Sequence, residues 1–373
     1  TYTYTESSAA SDVYKRQSMD GIDAALVEFG DASLNILQTR AHDYPDALSE
    51  RLSAAIQEPE TCTVDDVGSL DRAIGECFRD AANALLADTG FDASAIAAIG
   101  SHGQTLRHQP QAAEPFSLQI GDPNVIATGT GITTVADFRR TDMALGGEGA
   151  PLVPAFHEWL FGAAGPLRAV LNIGGIANIT VMPGGSGATT GFDTGPGNTL
   201  LDAWTRKHRA TSFDADGKWA ASGTVNEELL ARLLADPYFS ATPPKSTGFE
   251  YFNLAWLGRA RPDDLDPADV QATLCALTAT SIADAIHAAA PTVGEVLVCG
   301  GGVHNSELMR HLGSQLADVP VASTATAGLD PDWVEAAAFA WLAMRRLQGR
   351  TGNLPSVTGA SRPAVLGAIY SAA

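Results

Sequence analysis

Glycine loops between short strand-like runs and helix-like runs constrain this 373-residue chain more than any other feature. The chain has 37 glycines, and many cluster directly after β-rich stretches. AVLNI (169–173), followed by GG and IANITVM, predicts strand, tight turn and strand. EVLVCG (295–300), followed by GGVHNSELMRHL, predicts strand, glycine turn and helix, with Asn305 or Ser306 as the N-cap. Alternating strands and helices predict α/β layers, and glycine loops facing each other from two lobes would line a central cleft.

Two further segments predict helices, and the length predicts about two domains. DVQATLCALTATSIADAIHAAA (269–290) places its larger apolar residues near one face, which is typical of an amphipathic helix. DWVEAAAFAWLAMRRL (332–347) is apolar nearly all round, which indicates a buried helix.

Charge and composition exclude several classes of protein. The net charge of -20 and the pI near 4.6 argue against a nucleic-acid binder. An anionic small ligand remains compatible, because backbone N–H groups of glycine loops can hold phosphate. No apolar run reaches the roughly 18 residues of a membrane span. The polar N-terminus is unlike a secretory signal, and four scattered cysteines fit free thiols in a reducing cytoplasm.

GFDTGPGNTLLDAW is the most informative segment. Asp193 lies among glycines just before a helix that is predicted to begin near Asn198 or Thr199. A helix start offers unpaired N–H groups and a positive dipole end, so an acid beside such an anion site is unfavourable unless it is used. Asp193 is therefore either a base or a metal partner, or an aspartate that caps a turn.

Other loops leave comparable alternatives. The three glycines of CGGGVHN suit a nucleotide lying on the backbone, or simply a sharp strand-to-helix turn. DFRRTDMALGGEGAP carries two arginines, which suit recognition of a planar anion or a surface cluster of ion pairs. The sequence contains no Walker phosphate loop, no nucleophile elbow and no H-E-x-x-H motif.

Taken together and in chain order, eleven segments resemble one family. They are SMDGIDAAL, GSHGQTLRH, SLQIGDPNVIA, GITTVADFRRTDMALGGEGAPLVPAFHE, LNIGGIANIT, GFDTGPGNTLLDAW, FDADGKWAASG, YFSATPPKSTG, CGGGVHN, DPDWVEAAAFAWLA and GNLPSVTGASRPAVLGAIY. Each is weak alone, but the ordered set from residue 18 to about 370 is highly specific. The chain resembles the anhydro-N-acetylmuramic acid kinases of the actin, sugar-kinase and Hsp70 ATPase superfamily.

The resemblance implies a two-lobed actin-like, ribonuclease H-like ATPase fold. It implies an ATP-dependent enzyme that opens 1,6-anhydro-N-acetylmuramic acid with water and phosphorylates O6. N-acetylmuramic acid 6-phosphate and ADP are released, in the recycling of cell-wall sugars in the cytoplasm. ATP and Mg²⁺ are the expected cofactors, the metal ligands stay unknown, and a homodimer is expected, without nucleic-acid or membrane partners.

The segments that match the family also imply which residues act in catalysis and which contact the sugar and the nucleotide. Asp193 would be the base that activates water. Arg139 would pair with the lactyl carboxylate, and His102 and Glu335 would lie on the sugar side; for Glu335, an internal Arg partner is the alternative. The residues expected to contact the nucleotide are Ser18, Met19, Asp20, Gly21, Ile22, Asp23, Gly174, Gly175, Gly195, Gly197, Gly300, Gly301 and Gly302.

The N-terminus departs from the family pattern. An apolar strand and M-S-G-T should precede Ser18, but SDVYKRQ stands there, so residues 1–17 are interpreted as an unmatched and foreign segment. The sheet is then expected to lack a strand. The first lobe is predicted over 18–137 plus about 352–373, and the second over 138–351. The alternatives are another small-molecule kinase of the superfamily, or an inactive ATP-binding scaffold with an incomplete first phosphate loop.

Overall fold

The computed structural model describes residues 2–8, 21–162, 165–185, 187–243 and 245–372, the first of these ranges by its backbone only. The strands are β1 (Tyr2–Ser8), β2 (Gly21–Phe29), β3 (Leu34–Asp43), β4 (Ile96–Ser101), β5 (Gln104–Gln109), β6 (Phe116–Ile120), β7 (Thr134–Ala136), β8 (Arg168–Ile173), β9 (Ile176–Met182), β10 (Thr190–Pro196), β11 (Glu295–Cys299), β12 (Val321–Ser323) and β13 (Ala368–Tyr370).

The helices are α1 (Asp46–Gln57), α2 (Val64–Thr89), α3 (Pro123–Thr130), α4 (Arg140–Ala144), α5 (Val153–Phe161), α6 (Thr199–Arg209), α7 (Lys218–Ser222), α8 (Glu227–Leu234), α9 (Pro237–Ser240), α10 (Leu254–Gly258), α11 (Pro267–Ala289), α12 (Ser306–Gln315), α13 (Val334–Leu347) and α14 (Pro355–Thr358). Short 3₁₀ turns occupy Ala93–Ala95, Ala215–Gly217, Pro262–Asp264, Gly301–His304 and Thr324–Ala327.

The chain divides into two compact units. Unit 1 comprises Thr1–Leu160 and Trp333–Ala373, and unit 2 comprises Phe161–Asp332. The prediction set these boundaries after residue 137 and before about residue 352. The observed division differs because α5 and α13 share an aromatic cluster in which Phe156 and Trp341 lie edge to face, and because α13 packs on β4.

Unit 1 is built on a six-stranded sheet in the order β13-β7-β4-β1-β2-β3. The apolar face of α2 packs against β2 and β3, and the buried core between them includes Ile22, Leu26 and Phe78. The ends of α2 are defined locally. Thr63 and Asp66 form a reciprocal capping box at its start, and Gly90 ends it in the left-handed conformation.

Unit 2 repeats that plan with a five-stranded sheet in the order β10-β9-β8-β11-β12. In both units the first three strands form an antiparallel meander, and the fourth and fifth strands run parallel to the first. The repeated order, five strands with the second antiparallel, is that of the ribonuclease H-like lobe. The predicted two-unit, actin-like α/β fold is therefore confirmed.

The expectation that the first sheet lacks a strand is wrong. Tyr2–Ser8 forms β1, which pairs antiparallel with β2 and parallel with β4 in the middle of the sheet. The sequence YTYTESS is polar, but Tyr and Thr favour extended backbone, and the ladder uses main-chain groups that any residue supplies. Apolarity was therefore the wrong criterion for this strand.

Helix α11 is the central helix of unit 2. By length and composition alone it is apolar enough to cross a membrane, but 67% of that apolar window is buried within the fold. It packs on β9, β10 and the shorter helices α6, α7, α8 and α12. Its buried residues lie on nearly every side, including Thr273 and Gln271, so the predicted amphipathic helix is more fully enclosed than its sequence pattern indicates.

Candidate active site

Asp193 lies on β10, which forms one edge of the unit 2 sheet. The pairing of β10 with β9 shifts register between Asp193 and Gly195, so Thr194 is an extra residue on β10. Such a bulge bends a strand and re-aims its side chains, and bulges are frequent beside active sites. A half-buried carboxylate is thereby set on a distorted, locally accessible strand edge.

Three residues from the segment after β10 hold Asp193, and we call Tyr238, Lys245 and Thr247 the aspartate clamp. The main-chain N–H of Asp193 donates to the Lys245 carbonyl at 3.2 Å. The Thr247 N–H donates to Oδ2 of Asp193 at 3.0 Å, and the Tyr238 hydroxyl donates to the Asp193 carbonyl at 2.8 Å. Both the backbone and the side chain of Asp193 are thus fixed in place.

The clamp also has a distinct electrostatic character. Burial lowers the pKa of the Lys245 ammonium, and the nearby Asp193 carboxylate partly offsets that effect. Burial, together with the same carboxylate, raises the pKa of the Tyr238 hydroxyl. Tyr238 is therefore a neutral donor, and Lys245 supplies positive charge near Asp193.

The glycine turn between β8 and β9 is tied to the start of α6. Gly197 and Thr199 donate their N–H groups to the Gly175 carbonyl at 2.8 and 3.0 Å, and Asn198 donates to the Gly174 carbonyl at 2.9 Å. A Cβ atom at Gly197 would overlap the Gly174 carbonyl oxygen. Glycine at 197 is thus required by close approach of two chain segments.

The CGGG turn packs against the end of β8, next to the glycine turn between β8 and β9. Gly300 has φ +77°, and a Cβ there would collide with the side chain of Asn172. A Cβ at Gly302 would overlap Ile173, whereas Gly301 has open space on its Cβ side and is exposed. Gly174 and Gly175 of NIGG, Gly197, and the three glycines of CGGG therefore form one loop cluster in unit 2.

Not every predicted nucleotide residue lies there. Gly195 sits at the bulge, where an added Cβ would come within 2.8 Å of the Phe239 ring, so it faces the clamp segment. Gly21, Ile22 and Asp23 begin β2 in unit 1, and the Ile22 side chain is fully buried in the core. The Ile22 side chain is therefore part of the core and is not available to a ligand.

Three further predicted nucleotide residues fall outside the described residues. They are Ser18, Met19 and Asp20.

The predicted sugar-side residues lie in unit 1, where His102 and Arg139 are in direct contact. Nε and Nη2 of Arg139 lie 3.2 and 2.8 Å from Nε2 of His102, and Nη1 donates to the Gly149 carbonyl at 2.9 Å. The His102 ring packs on Phe339 with 4.4 Å between ring centroids. Phe339 is one helical turn after Glu335 on α13, so the three predicted residues share one neighbourhood.

Burial sets the chemistry of this pair. Arg139 is 4% exposed and His102 is 2% exposed. Burial, with the adjacent guanidinium, holds the pKa of His102 well below its usual range, so the imidazole is neutral and accepts from Arg139. His102 therefore orients a buried cation.

Asp142 lies in the arginine-rich loop DFRRTDMALGGEGAP, where the sequence alone indicates no role for it. It is fully buried, and its Oδ2 accepts from the Gly149 N–H at 2.9 Å. Its Oδ1 accepts from Asn353 at 2.6 Å and from the Thr358 hydroxyl at 2.7 Å. Asp142 thus anchors the same glycine loop that Arg139 contacts, through partners that are distant in sequence.

The clamp was also missed. YFSATPPKSTG was recognised as a segment shared with the family, but none of its residues was given a role. The available signal was a lone lysine between a Pro-Pro pair and a Thr-Gly turn, in a loop following an aromatic pair. That pattern identifies a structured loop but does not reveal which strand it covers.

Comparison with known proteins decides the family. A statistical description of the family "Anhydro-N-acetylmuramic acid kinase" matches residues 13–372. The chain belongs to this family. The predicted family, and the predicted class of enzyme, a phosphotransferase that uses ATP, are thereby confirmed.

Relatives in two genera illustrate the match. The anhydro-N-acetylmuramic acid kinase of Xanthomonas campestris pv. campestris (strain 8004) is 54% identical, with 99% of each chain covered. The enzyme of the same name from Shewanella sp. (strain ANA-3) is 52% identical over 95% of this chain and 96% of its own. Among solved structures, a ROK family glucokinase from Streptomyces griseus in complex with glucose and AMPPNP matches at TM-score 0.40 and 14% identity, covering 92% of this chain and 99% of that one.

Proposed function

We propose that this kinase acts on 1,6-anhydro-N-acetylmuramic acid, using water and ATP, and that Asp193 is its general base. The observation that carries the proposal is the clamped carboxylate of Asp193, on a bulged strand edge in the same unit as the glycine loop cluster. A carboxylate held by backbone donors keeps one orientation while it accepts a proton. The alternative of Asp193 as a mere turn cap finds no support in its position within β10.

The proposed reaction joins two displacements. Water attacks C1 of the sugar and gives its proton to the Asp193 carboxylate, while the C1–O6 bond breaks. O6 forms a bond to the γ-phosphorus of ATP, and the bond from that phosphorus to the ADP oxygen breaks. The phosphoryl group thus bonds to the leaving oxygen O6. In an inverting glycosidase, a general acid protonates that oxygen instead.

The proposed nucleotide contacts rest on the glycine loop cluster. Gly174, Gly175, Gly300, Gly301 and Gly302 carry no side chains, so phosphate oxygens could approach the main chain of these turns. Exposed Gly301, whose Cβ side is open, is the position most available for such an approach. Gly21 and Asp23 on β2 remain proposed nucleotide contacts.

Mg²⁺ is proposed as the metal that accompanies ATP. Among the described residues, no group of three His, Cys, Asp or Glu side chains could hold a metal ion. This donor set fits an ion held mostly by nucleotide phosphates and water. When bound, the ion would neutralise phosphate charge.

On the sugar side, Arg139 remains the proposed partner of the lactyl carboxylate, with Glu335 and His102 beside it. The hydrogen bonds described for the Arg139 guanidinium run to His102 and Gly149, which fix the plane of its fork. A cytoplasmic location, a role in cell-wall recycling and a homodimer belong to the same proposal.

A coupled assay for ADP release tests the substrate. The purified chain is incubated with ATP and with 1,6-anhydro-N-acetylmuramic acid, intact N-acetylmuramic acid, or plain hexoses. We expect ADP release only with the anhydro sugar, together with one N-acetylmuramic acid 6-phosphate per ADP. Turnover on hexoses but not on the anhydro sugar would favour another small-molecule kinase of the superfamily.

A further inference from the structure

We infer that Lys245 is a positioning residue for the reaction, because it anchors Asp193 through its main chain while its ammonium locks the clamp and supplies local positive charge. This inference rests on the proposed role of Asp193 as the base. Nothing in the sequence motifs assigns Lys245 a task, since it lies on neither the glycine loop cluster nor the arginine-rich loop.

The geometry links Lys245 to two elements at once. Its carbonyl accepts from the Asp193 N–H at 3.2 Å, which closes the open edge of β10. Its Nζ donates to the carbonyls of Tyr238 and Phe239 at 3.1 and 3.3 Å, at the C-terminal part of α9. A cation there satisfies the final carbonyls of a short helix and also lies over the Tyr238 ring at 4.7 Å.

The far side of α9 is fixed as well. Asp236 caps α9 by accepting from the Tyr238 N–H at 2.9 Å, and it accepts from the Tyr251 hydroxyl and the Trp256 indole, both at 2.8 Å. Lys245 therefore connects α9, which is fixed by aromatic side chains, to the strand that carries Asp193. Without its ammonium, the two carbonyls of α9 lose their common donor and the clamp loosens.

The titratable groups around this site are few among the described residues. Tyr238 and Asp236 come from the α9 region, and Asp284 of α11 lines the cavity beside Lys245. On β9, the residue paired with Asp193 is the uncharged Asn178. Burial lowers the pKa of Lys245, whereas the Asp193 carboxylate raises it, so the two groups interact and the positive charge favours an ionised Asp193.

A cavity of about 440 Å³ beside Lys245 leaves space for other side chains at this position. Phe192, Phe239 and Lys245 line it together with Ser281 and Asp284 of α11. A neutral side chain at 245 can therefore be accommodated. Asp284 supplies a matched control, since it is exposed on the same cavity but makes none of the described clamp contacts.

The experiment compares Lys245→Met, Lys245→Gln, Lys245→Arg and Asp284→Asn with the parent chain and with Asp193→Asn. ADP release with the anhydro sugar is measured from pH 4.5 to 9, at varied ATP and sugar concentrations. As a control for irreversible unfolding, each sample is returned to neutral pH and its activity is measured again. We expect Lys245→Met to lose roughly tenfold in kcat with little change in KM for ATP, the order of one lost positioning contact.

The decisive measurement is the acid limb of the pH profile of kcat/KM. Loss of the positive charge should raise the pKa of the base, so in Lys245→Met and Lys245→Gln the limb should move to higher pH by about half to one unit. Lys245→Arg should keep the parent limb, and Asp284→Asn, which removes a negative charge, should not move the limb to higher pH. If Lys245→Met does not fold, Lys245→Gln, which keeps a donor for the two carbonyls, carries the same comparison.

The outcomes separate the inference from the proposed function. If Asp193→Asn keeps near-parent turnover, the proposed base is wrong. If Asp193→Asn is inactive but neither neutral variant of Lys245 changes kcat or the acid limb, the inference about Lys245 alone is overturned. A fall in thermal stability with an unmoved acid limb would likewise reduce Lys245 to a structural residue and overturn it.

Discussion

Buried side chains hold the candidate residues of unit 1, whereas main-chain groups of a covering segment make two of the three described hydrogen bonds to Asp193 in unit 2. Arg139 and His102 contact each other inside a buried cluster, and each orients the other. Asp193 lies on an edge strand and is held by the Thr247 N–H, the Lys245 carbonyl and the Tyr238 hydroxyl. The same strand order thus positions charged groups in two ways. Unit 1 uses a buried side-chain network, and unit 2 uses the aspartate clamp around half-buried Asp193.

The difference teaches where each unit is sensitive. A buried side-chain network fails when one partner is removed, because the others are left unsatisfied away from water. The glycine loop cluster of unit 2 depends instead on close approach of chain segments, and hence on glycine.

Asp193→Asn is expected to show the largest loss. The amide is nearly isosteric, so the Thr247 N–H keeps an acceptor and the fold is kept, but the group no longer takes a proton. We expect turnover to fall by at least about 10² while ATP still binds, because general-base help is typically worth 10² to 10⁴. Steady-state ADP release and nucleotide titration measure the two quantities, and near-parent turnover would contradict the assignment.

Asp142→Ala should break the side-chain mode in unit 1. Three donors, from Gly149, Asn353 and Thr358, would lose their acceptor in a fully buried site. We expect the free energy of unfolding to drop by about 3 kcal/mol or more, since each unsatisfied buried group costs roughly 1–3 kcal/mol. Urea denaturation measures it.

Asp137→Asn is the matched control for this change. It alters a half-buried aspartate in the same stretch, whose ion pair with Arg140 is 3.5 Å long. We expect a change of less than about 1 kcal/mol. Equal losses in the two variants would mean that the buried network is not what stabilises the loop.

Gly197→Ala should break the glycine cluster of unit 2, and Gly301→Ala should leave it intact. A methyl group at 197 overlaps the Gly174 carbonyl, whereas at 301 it meets open space. We expect about 1–3 kcal/mol of destabilisation for the first variant and little for the second. Denaturation midpoints measure stability, and nucleotide affinity is measured alongside.

The variants Gly197→Ala and Gly301→Ala also test the proposed nucleotide contact. If phosphate lies on the exposed face of the CGGG turn, Gly301→Ala should weaken ATP binding without loss of stability. Unchanged affinity in that variant would place the nucleotide elsewhere on the cluster.

The smallest expected effect is a pH dependence of unit 1. Burial lowers the pKa of His157 to about 3 and that of His108 to about 4, and His102 is lowered as well. The unfolded chain binds protons below about pH 6.5 that the folded chain does not, so stability is present above that pH and falls as the pH drops toward the folded pKa. Each such histidine contributes up to about 1.4 kcal/mol per pH unit.

His157→Gln isolates one of these contributions, because glutamine does not titrate. Urea denaturation at pH 7.5, 6.5 and 5.5 should show a shallower loss of stability in the variant than in the parent chain. An equally steep loss in both would show that His157 does not drive the acid sensitivity.

Much of the fold and part of the site could be predicted from local sequence. The pattern AVLNI-GG-IANITVM is a hairpin in the structure, and EVLVCG-GGVHN is a strand followed by a glycine turn and a helix, as predicted. These predictions succeed because a turn, a cap and a periodicity involve residues close in the chain. β1 was missed because a polar strand in the middle of a sheet is favoured by its neighbours and not by its own composition.

Sequence patterns are enough to identify the family and the glycine loops, and they single out Asp193. The contacts of Lys245 and Thr247 with Asp193, and those of Asp142 with residues more than 200 positions away, arise only when the chain folds. The physical reason is that a hydrogen bond depends on distance in space, while a sequence pattern reports neighbours along the chain. A lysine in a proline-rich loop carries no mark of the strand it covers until the chain has folded over it.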